Sequence, residues 1–281
     1  MNKTYAIISN KEKDKNRIVS KQICKLLNTA NSCEIYNVAV GKDDQIDTEK
    51  LKNVDIIFSL GGDGTFLNIA RQTSKLGIPI LGINLGSLGF LSEVEMKDLD
   101  QSINQIVRGE YKVTDRMMID AVIIKNDKEI YRDNALNDFV ISRGELSRII
   151  TLELYIDHSF VDSFPGDGLI ISTPTGSTGY ALSAGGPVIE HGANLMLVTP
   201  ICSHVMHSRS FVVSKDAEIE IIVKGDQNSV CLMTIDGQKS FVLEGNEKIE
   251  IKKSKLKAKL VKVNNKSFYD TLRKKMYNRE R

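Results

Sequence analysis

The chain has 281 residues, enough for one large hydrophobic core or two of medium size. Hydrophobic residues make up 41% and charged residues 26%, and 38 Lys plus Arg against 36 Asp plus Glu leave a formal charge of only +2. That ordinary globular balance gives no general argument for a nucleic acid partner, no apolar run approaches the length that spans a bilayer, and the first residues lack a signal-peptide pattern.

The charge is nevertheless uneven. From Lys248 to Arg281 there are 13 basic and 3 acidic residues, which leaves the rest at −8; such an end reads first as a solvated surface. Cys24, Cys33, Cys202 and Cys231 have no metal-type spacing and read as reduced, mostly buried thiols of a cytoplasmic protein.

In chain order, Tyr5–Ser9 reads as a buried strand and residues 14–27 as a helix whose Ile18, Ile23, Leu26 and Leu27 share a face. Residues 33–40 and 54–60 are β-rich, 63–75 has helical spacing, 78–83 returns to a strand, and 99–107 forms another helix. This alternation predicts a parallel α/β sheet with helices on both faces. Beyond about Glu110 the pattern changes to short β-rich runs: 119–124, 139–141, 149–156, 169–172, 195–198, 219–223, 231–235 and 249–251. Many short strands between Asp, Asn and Gly turns predict an antiparallel, layered second domain. Residues 255–263 alternate Leu256, Ala258 and Leu260 with lysines and slip phase at Val261, which suggests a half-exposed strand with a bulge or bend. Residues 268–276 read as a final helix. The expected domains are 1–109, 110–254 and a C-terminal segment 255–281.

The most informative segment is Ile56-Ile57-Phe58-Ser59-Leu60-Gly61-Gly62-Asp63-Gly64-Thr65. A continuous apolar strand runs into three glycines around an aspartate, and a helix begins at once. Glycine lets phosphate approach the backbone closely, and a helix start offers unpaired amides to an anion. Asp63 would then stand at the carboxyl end of a strand, where open α/β sheets bind ligands. The loop has neither the Lys-Ser/Thr ending of a Walker A sequence nor the last glycine of the dinucleotide fingerprint. Its central acid would repel phosphate unless it holds a metal or accepts a proton, and a kinase needs such a group to orient an acceptor hydroxyl. A second glycine-rich loop, residues 82–89, is a candidate for the neighbouring rim.

Three later constellations are polar. Asn137 and Asp138 precede a strand and suit a nucleoside edge or ribose, although Asn-Asp is also a common solvated turn. Gly166-Asp167-Gly168 precedes another apolar strand. It is followed by Thr173-Pro174-Thr175-Gly176-Ser177-Thr178-Gly179-Tyr180, whose small and hydroxyl residues suit a closely approached polar ligand, with Tyr180 as a stacking wall. Asp236-Gly237-Gln238 is a hairpin signal, with Asp236 or Gln238 as further candidates for the cleft. His191, Cys202, His204 and His207 do not complete a zinc pattern.

In this order the motifs Gly61–Thr65, Leu136–Asp138, Gly166–Gly168 and Thr173–Tyr180 resemble the NAD kinase family, over nearly the whole chain. The first alone is shared with diacylglycerol and sphingosine kinases, and in a close variant with phosphofructokinases. The resemblance implies an α/β domain with a parallel sheet, a β-rich layered domain, and a final segment that returns to the first. It implies that Asp63 activates the 2′-hydroxyl of the adenosine ribose of NAD, and that ATP, with Mg2+ or another divalent cation, supplies the phosphoryl group. NADP is the product. It places at the nucleotides Gly62, Gly64, Thr65 and Phe66 with Asp63, then Asn137, Asp138, Arg148 and Asp167. Thr178, Gly179, Tyr180, Ala181 and Ser183 would form a further wall, joined by Gln238. It also implies a homodimer or homotetramer. The chain departs from the family's usual pattern in having Asp138 for Glu, Pro165 near a common basic position, and Gly179 for Ala. A diacylglycerol-type lipid kinase and a non-catalytic NAD sensor are the alternative readings.

Overall fold

The computed structural model describes residues 3–29, 34–40, 44–86, 89–144, 149–204, 208–224 and 230–277. The chain divides into two compact units, one of Met1–Arg116 with Leu256–Arg281 and one of Met117–Lys255.

The first unit begins with β1 (Thr4–Asn10), α1 (Ile18–Thr29), β2 (Glu34–Val40), β3 (Ile56–Gly61), α2 (Asp63–Thr73), β4 (Ile80–Asn84), β5 (Val94–Glu95) and α3 (Leu99–Arg108). β1 pairs in parallel with both β2 and β3, β3 pairs in parallel with β4, and β4 with β5. The order β2-β1-β3-β4 therefore reverses direction at β1, so the ends of β1 and β3 meet at a topological switch point. Alternation assigns the two faces. Tyr5, Ile7, Phe58, Leu81 and Ile83 pack with Ile23 and Leu27 of α1 and with Ile103 and Ile106 of α3. Ala6, Ile8 and Ile57 point the other way and are equally buried. On that side lies α2, whose Phe66 approaches the position of a Cβ on Gly82 at 3.2 Å. A sheet covered on both faces needs continuous apolar strands, and the strand Ile56–Gly61 is buried throughout.

The second unit comprises most of β6 (Lys112–Lys125), then β7 (Lys128–Ala135), β8 (Asp138–Arg143), β9 (Ile150–Ile156), β10 (Ser159–Gly166), β11 (Gly168–Ser172), the one-turn α4 (Tyr180–Ser183), β12 (Leu195–Ile201), β13 (Phe211–Ser214), β14 (Ile219–Lys224), β15 (Cys231–Ile235), β16 (Lys239–Leu243) and the start of β17 (Lys248–Lys262). One layer is an antiparallel sheet in the order β13-β12-β11-β8-β15-β16. In the other, β10 pairs with β9, β9 with β14, and β14 with residues 248–251 of β17, all antiparallel. The core lies between them: Phe139, Ile141, Leu169 and Ile171 belong to the same buried cluster as Leu152, Leu154, Ile219 and Ile221. Cys231 sits in this core, where burial pushes its thiol up to about 12. The outer face of the six-stranded sheet is apolar too, with Val140, Ile170 and Leu197 capped by Ala181 and Ile189.

β17 then carries the chain back. Its Leu260 pairs in parallel with Ile80 of β4, and α5 (Phe268–Tyr277) follows. Glu93, 6% exposed, anchors the return by accepting Lys262 Nζ at 2.6 Å and the amides of Val263 and Asn264 at 3.3 and 3.1 Å. The phase slip at Val261 has a simpler source than a bulge. β17 runs unbroken through it, and Leu260 and Val261 are both buried because this end of the strand joins a sheet covered on both faces. The first linker also belongs to the first unit further than residue 109. The Thr114 hydroxyl donates to the Leu260 carbonyl at 3.5 Å and Asp115 pairs with Lys257 at 2.8 Å, so the division falls between Arg116 and Met117. The cysteines are less buried than their spacing suggested: Cys24 is half-buried and Cys202 exposed, while Cys33 lies outside the described residues.

Candidate active site

In the first unit the Gly61–Thr65 loop forms the β3–α2 junction. Gly62 is the N-cap of α2 and Asp63 its first residue. The Asp63 carboxylate does not cap its own helix. It reaches instead to the segment before β5, where the amides of Phe90 and Leu91 donate to it at 2.7 and 3.2 Å and the Ser92 hydroxyl at 3.5 Å. A carboxylate has about four lone-pair directions, so this network orients Asp63 and leaves about one acceptor direction for a ligand hydroxyl. The glycines fit by close approach. A Cβ on Gly61 would stand 2.3 Å from Thr65 Oγ1, and one on Gly89 would stand 1.7 Å from Asp63 Oδ1. Two residues from the end of β1 complete the loop. Asn10 Nδ2 donates to Thr65 Oγ1 at 3.4 Å, and Lys13 Nζ lies 3.0 Å from where a Gly62 Cβ would be. The switch point of the sheet thus carries an ammonium, a helix start and a carboxylate together.

In the second unit three segments interlock. Thr173 donates its amide to the Asn137 carbonyl at 2.9 Å and its hydroxyl to the Leu136 carbonyl at 2.6 Å. A Cβ on Gly176 would meet the Asn137 carbonyl oxygen at 2.2 Å. Asp236 accepts the amides of Leu136, Asn137 and Asp138. Asp138 is 4% exposed, and burial first, the Asp236 charge second, push its carboxyl up to about 7. Tyr180 stands half-exposed on α4; burial raises its hydroxyl, as do Cys202, Asp167 and Asp138, so the ring lies within electrostatic reach of both aspartates. Asp167 itself pairs with Arg143 at 2.6 Å. It precedes Gly168 at one end of β11, whereas Asp138 pairs with Ser172 at the other, roughly 13 Å away along the strand.

The predicted residues therefore fall into groups. Gly62, Asp63, Gly64 and Thr65 share one loop, with Gly64 exposed, whereas the Phe66 side chain is core. Asn137 and Asp138 are joined by Thr178 and Gly179: Asn137 Nδ2 lies 3.5 Å and Asp138 Oδ2 3.9 Å from a Gly179 Cβ position. Thr178 donates its hydroxyl to the Thr175 carbonyl at 3.1 Å, Ser183 is exposed, and Ala181 is core. Gln238 follows the Asp236-Gly237 turn and donates its amide to the Ile235 carbonyl at 2.9 Å. Arg148 and His207 lie outside the described residues.

The chain matches the family profile of the ATP-NAD kinase N-terminal domain over residues 20–111 and that of the ATP-NAD kinase C-terminal domain over residues 136–263. It is 43% identical over 279 residues to the NAD kinase of Acetivibrio thermocellus, covering 97% of this chain and 96% of that one. This chain belongs to the NAD kinase family. A similar relationship holds with the NAD kinase of Ruminiclostridium cellulolyticum, 41% identical over 283 residues, 99% of each chain. Among solved structures, the NAD kinase from Archaeoglobus fulgidus in complex with ATP superposes with a TM-score of 0.75 at 28% identity, covering 96% of both chains. Yeast NADH kinase complexed with NADH shares the fold, with a TM-score of 0.82 at 22% identity over 99% of this chain and 87% of that one. These matches give the diacylglycerol-kinase and sensor readings no support.

Within this NAD kinase fold, the motifs do not reveal the partners of their own residues. Gly89, Phe90 and Ser92 carry no charge and announce nothing by type, although Gly89 closes the second glycine-rich loop. Asp236 was visible as a turn residue, and its positive φ of 50° with 63° at Gly237 matches a left-handed Asp-Gly turn. Its side-chain bonds to a segment about a hundred residues earlier were not.

Proposed function

We propose that this kinase transfers the γ-phosphoryl group of ATP to the 2′-hydroxyl of the adenosine ribose of NAD, forming NADP. The observation that carries the reading is the Asp63 carboxylate, held by the Phe90 and Leu91 amides at the head of α2 with an acceptor direction to spare. A hydroxyl that donates to it is oriented for in-line attack, and its proton has a base beside it as the bond to phosphorus forms. The phosphates of ATP belong beside the same loop, where Lys13, the exposed Gly64 and the first amides of α2 offer positive charge and donors. Asn137, Asp138 and Tyr180 supply an amide, a carboxyl and a ring suited to a dinucleotide.

Magnesium enters with ATP. Among the described residues no three His, Cys, Asp or Glu side chains gather into a metal-holding group. Such an ion would be held mostly by phosphate oxygens and water. Bound there, it would neutralise phosphate charge. Self-association as a homodimer or homotetramer rests on the family resemblance and a cytoplasmic location on the reading of the cysteines as reduced thiols, and light scattering tests the first. No helix among the described residues is long and apolar enough to cross a membrane.

The decisive assay incubates the purified chain with NAD, ATP and magnesium and follows NADP, with phosphorus NMR to locate the new phosphate. A product phosphorylated elsewhere, or none at all, would reject the reading.

A further inference from the structure

Asp236 occupies a hairpin turn, yet its carboxylate serves another strand. It accepts the amides of Leu136, Asn137 and Asp138 at 3.1, 2.7 and 3.2 Å, and its own amide donates to the Asp138 carbonyl at 3.0 Å. The turn alone does not require an acid, since Asn and Gly adopt the same left-handed conformation readily. Asp236 is 6% exposed, so a charge has been buried to hold three amides.

What it holds is incomplete by itself. Asp138 is 4% exposed and no hydrogen bond reaches its carboxyl among the described residues, while Asn137 Oδ1 is buried without a partner. Buried polar groups are normally satisfied, so the unpartnered Asn137 Oδ1 beside the nearly buried Asp138 carboxyl points to a ligand that completes them. Like charges also stand close here, because Asp236 acts on Asp138.

We propose that Asp236 is the positioning residue of the dinucleotide site: it presents Asn137 and Asp138 to NAD as a preformed pair. In consequence its charge sets the pH range over which Asp138 can accept a hydrogen bond from the ligand. The inference rests on the NAD reading above. Among the described residues two groups act on or sense the Asp138 carboxyl, Asp236 from the β15–β16 turn and the Tyr180 hydroxyl from α4, while Ser172, its neighbour on β11, is uncharged. With the carboxyl raised to about 7, it ionises across neutrality. Only the ionised form is a pure acceptor for a ribose hydroxyl or an amino group, so NAD binding strengthens as pH rises through that range.

The test is calorimetric titration of the full chain with NAD, without ATP, from about pH 5.5 to about pH 8.5. Wild-type affinity should rise about tenfold across neutrality, and Asp138→Asn should flatten the curve. Asp236→Asn should weaken NAD binding about tenfold and move the midpoint acid-ward by roughly one pH unit, since the repelling charge is gone. It should also raise KM for NAD more than it lowers kcat. Asp236→Glu keeps the charge but misplaces it, so it should lose affinity and keep the midpoint.

A flat wild-type curve, or an unmoved midpoint in folded Asp236→Asn, overturns the proposal. If that variant does not fold, Asp236→Glu decides, because undiminished NAD affinity there overturns the positioning role. Wild type that binds NAD with this pH dependence but forms no NADP rejects the kinase reading alone. NADP formation with pH-independent NAD binding rejects this inference alone.

Discussion

The amide of Phe90 donates to Asp63 Oδ2 at 2.7 Å, and Gly89, the residue before it, vacates the space that Asp63 Oδ1 occupies. Two glycine-rich loops, one after β3 and one after β4, are therefore parts of one device. The first supplies a carboxylate at the head of a helix, and the second supplies the donors that aim it. Parallel neighbours in a sheet bring their carboxyl ends to the same edge, and this makes the device possible.

Replacing Asp63 with Asn keeps the size of the side chain but removes the base and turns one acceptor into a donor facing an amide. Turnover should fall by a factor on the order of 10² to 10⁴, with NAD affinity held within a few-fold. Steady-state kinetics with calorimetric NAD titration checks the split; near-normal kcat in a folded Asp63→Asn chain would reject the assignment.

Gly89→Ala tests the aiming rather than the base. A Cβ 1.7 Å from Asp63 Oδ1 cannot be accommodated without moving the carboxylate or the Phe90 segment. The variant should lose more than about tenfold in kcat, for a misplacement of about an ångström, while its NAD affinity stays near wild type. Overpacking should cost about 1–3 kcal/mol in denaturant unfolding. Unchanged kcat would mean that Asp63 is not held where it works.

The contrast between these two residues shows what was readable in the sequence. Asp63 is legible because chemistry and local backbone coincide there: an apolar strand, three glycines, an acid and a helix start within ten residues. Gly89 and Phe90 act through backbone and empty space, and their target lies 27 residues away at the end of another strand, so only the fold reveals them. The same holds for Asp236, whose type predicted its turn but not its three amide partners. In the scaffold, buried parallel strands such as Ile56–Gly61 stood out as apolar runs. The strands Lys128–Ala135 and Ser159–Gly166 did not, because Ile130 and Phe160 are exposed while Asp133, Asn134 and Asp162 are half-buried, which breaks the period-two signal. At Val261 the alternation was read by the rule for a one-sided sheet, whereas the strand passes into a two-sided one.

Lys13→Met should act on ATP and leave NAD alone. The ammonium reaches the Gly62 backbone, and a thioether of similar length keeps the packing but not the charge. KM for ATP should rise about tenfold, the value of one charge-assisted phosphate contact, with little change in KM for NAD. Raising the ionic strength should weaken ATP binding in wild type more than in the variant. An unchanged KM for ATP would separate Lys13 from the phosphates.

Asp138 links the site to stability. Its folded carboxyl titrates at about 7, pushed up by burial and by Asp236, against about 4 in an unfolded chain. Between those values the folded chain keeps a proton that the unfolded chain has released, so stability falls as pH rises, by about 1.4 kcal/mol per pH unit for this one group. Across the window the loss approaches about 4 kcal/mol, an upper figure because the unfolded chain retains some structure. Asp138→Asn removes the titration at the same volume. The variant should match wild type near pH 4 and exceed it by a few kcal/mol at pH 8 in urea unfolding, while binding NAD more weakly. A wild-type chain whose excess instability at pH 8 persists in Asp138→Asn would show that the carboxyl is not the source. The expected pattern, a more stable protein that has lost affinity, is that of a buried acid kept for its ligand rather than for the fold.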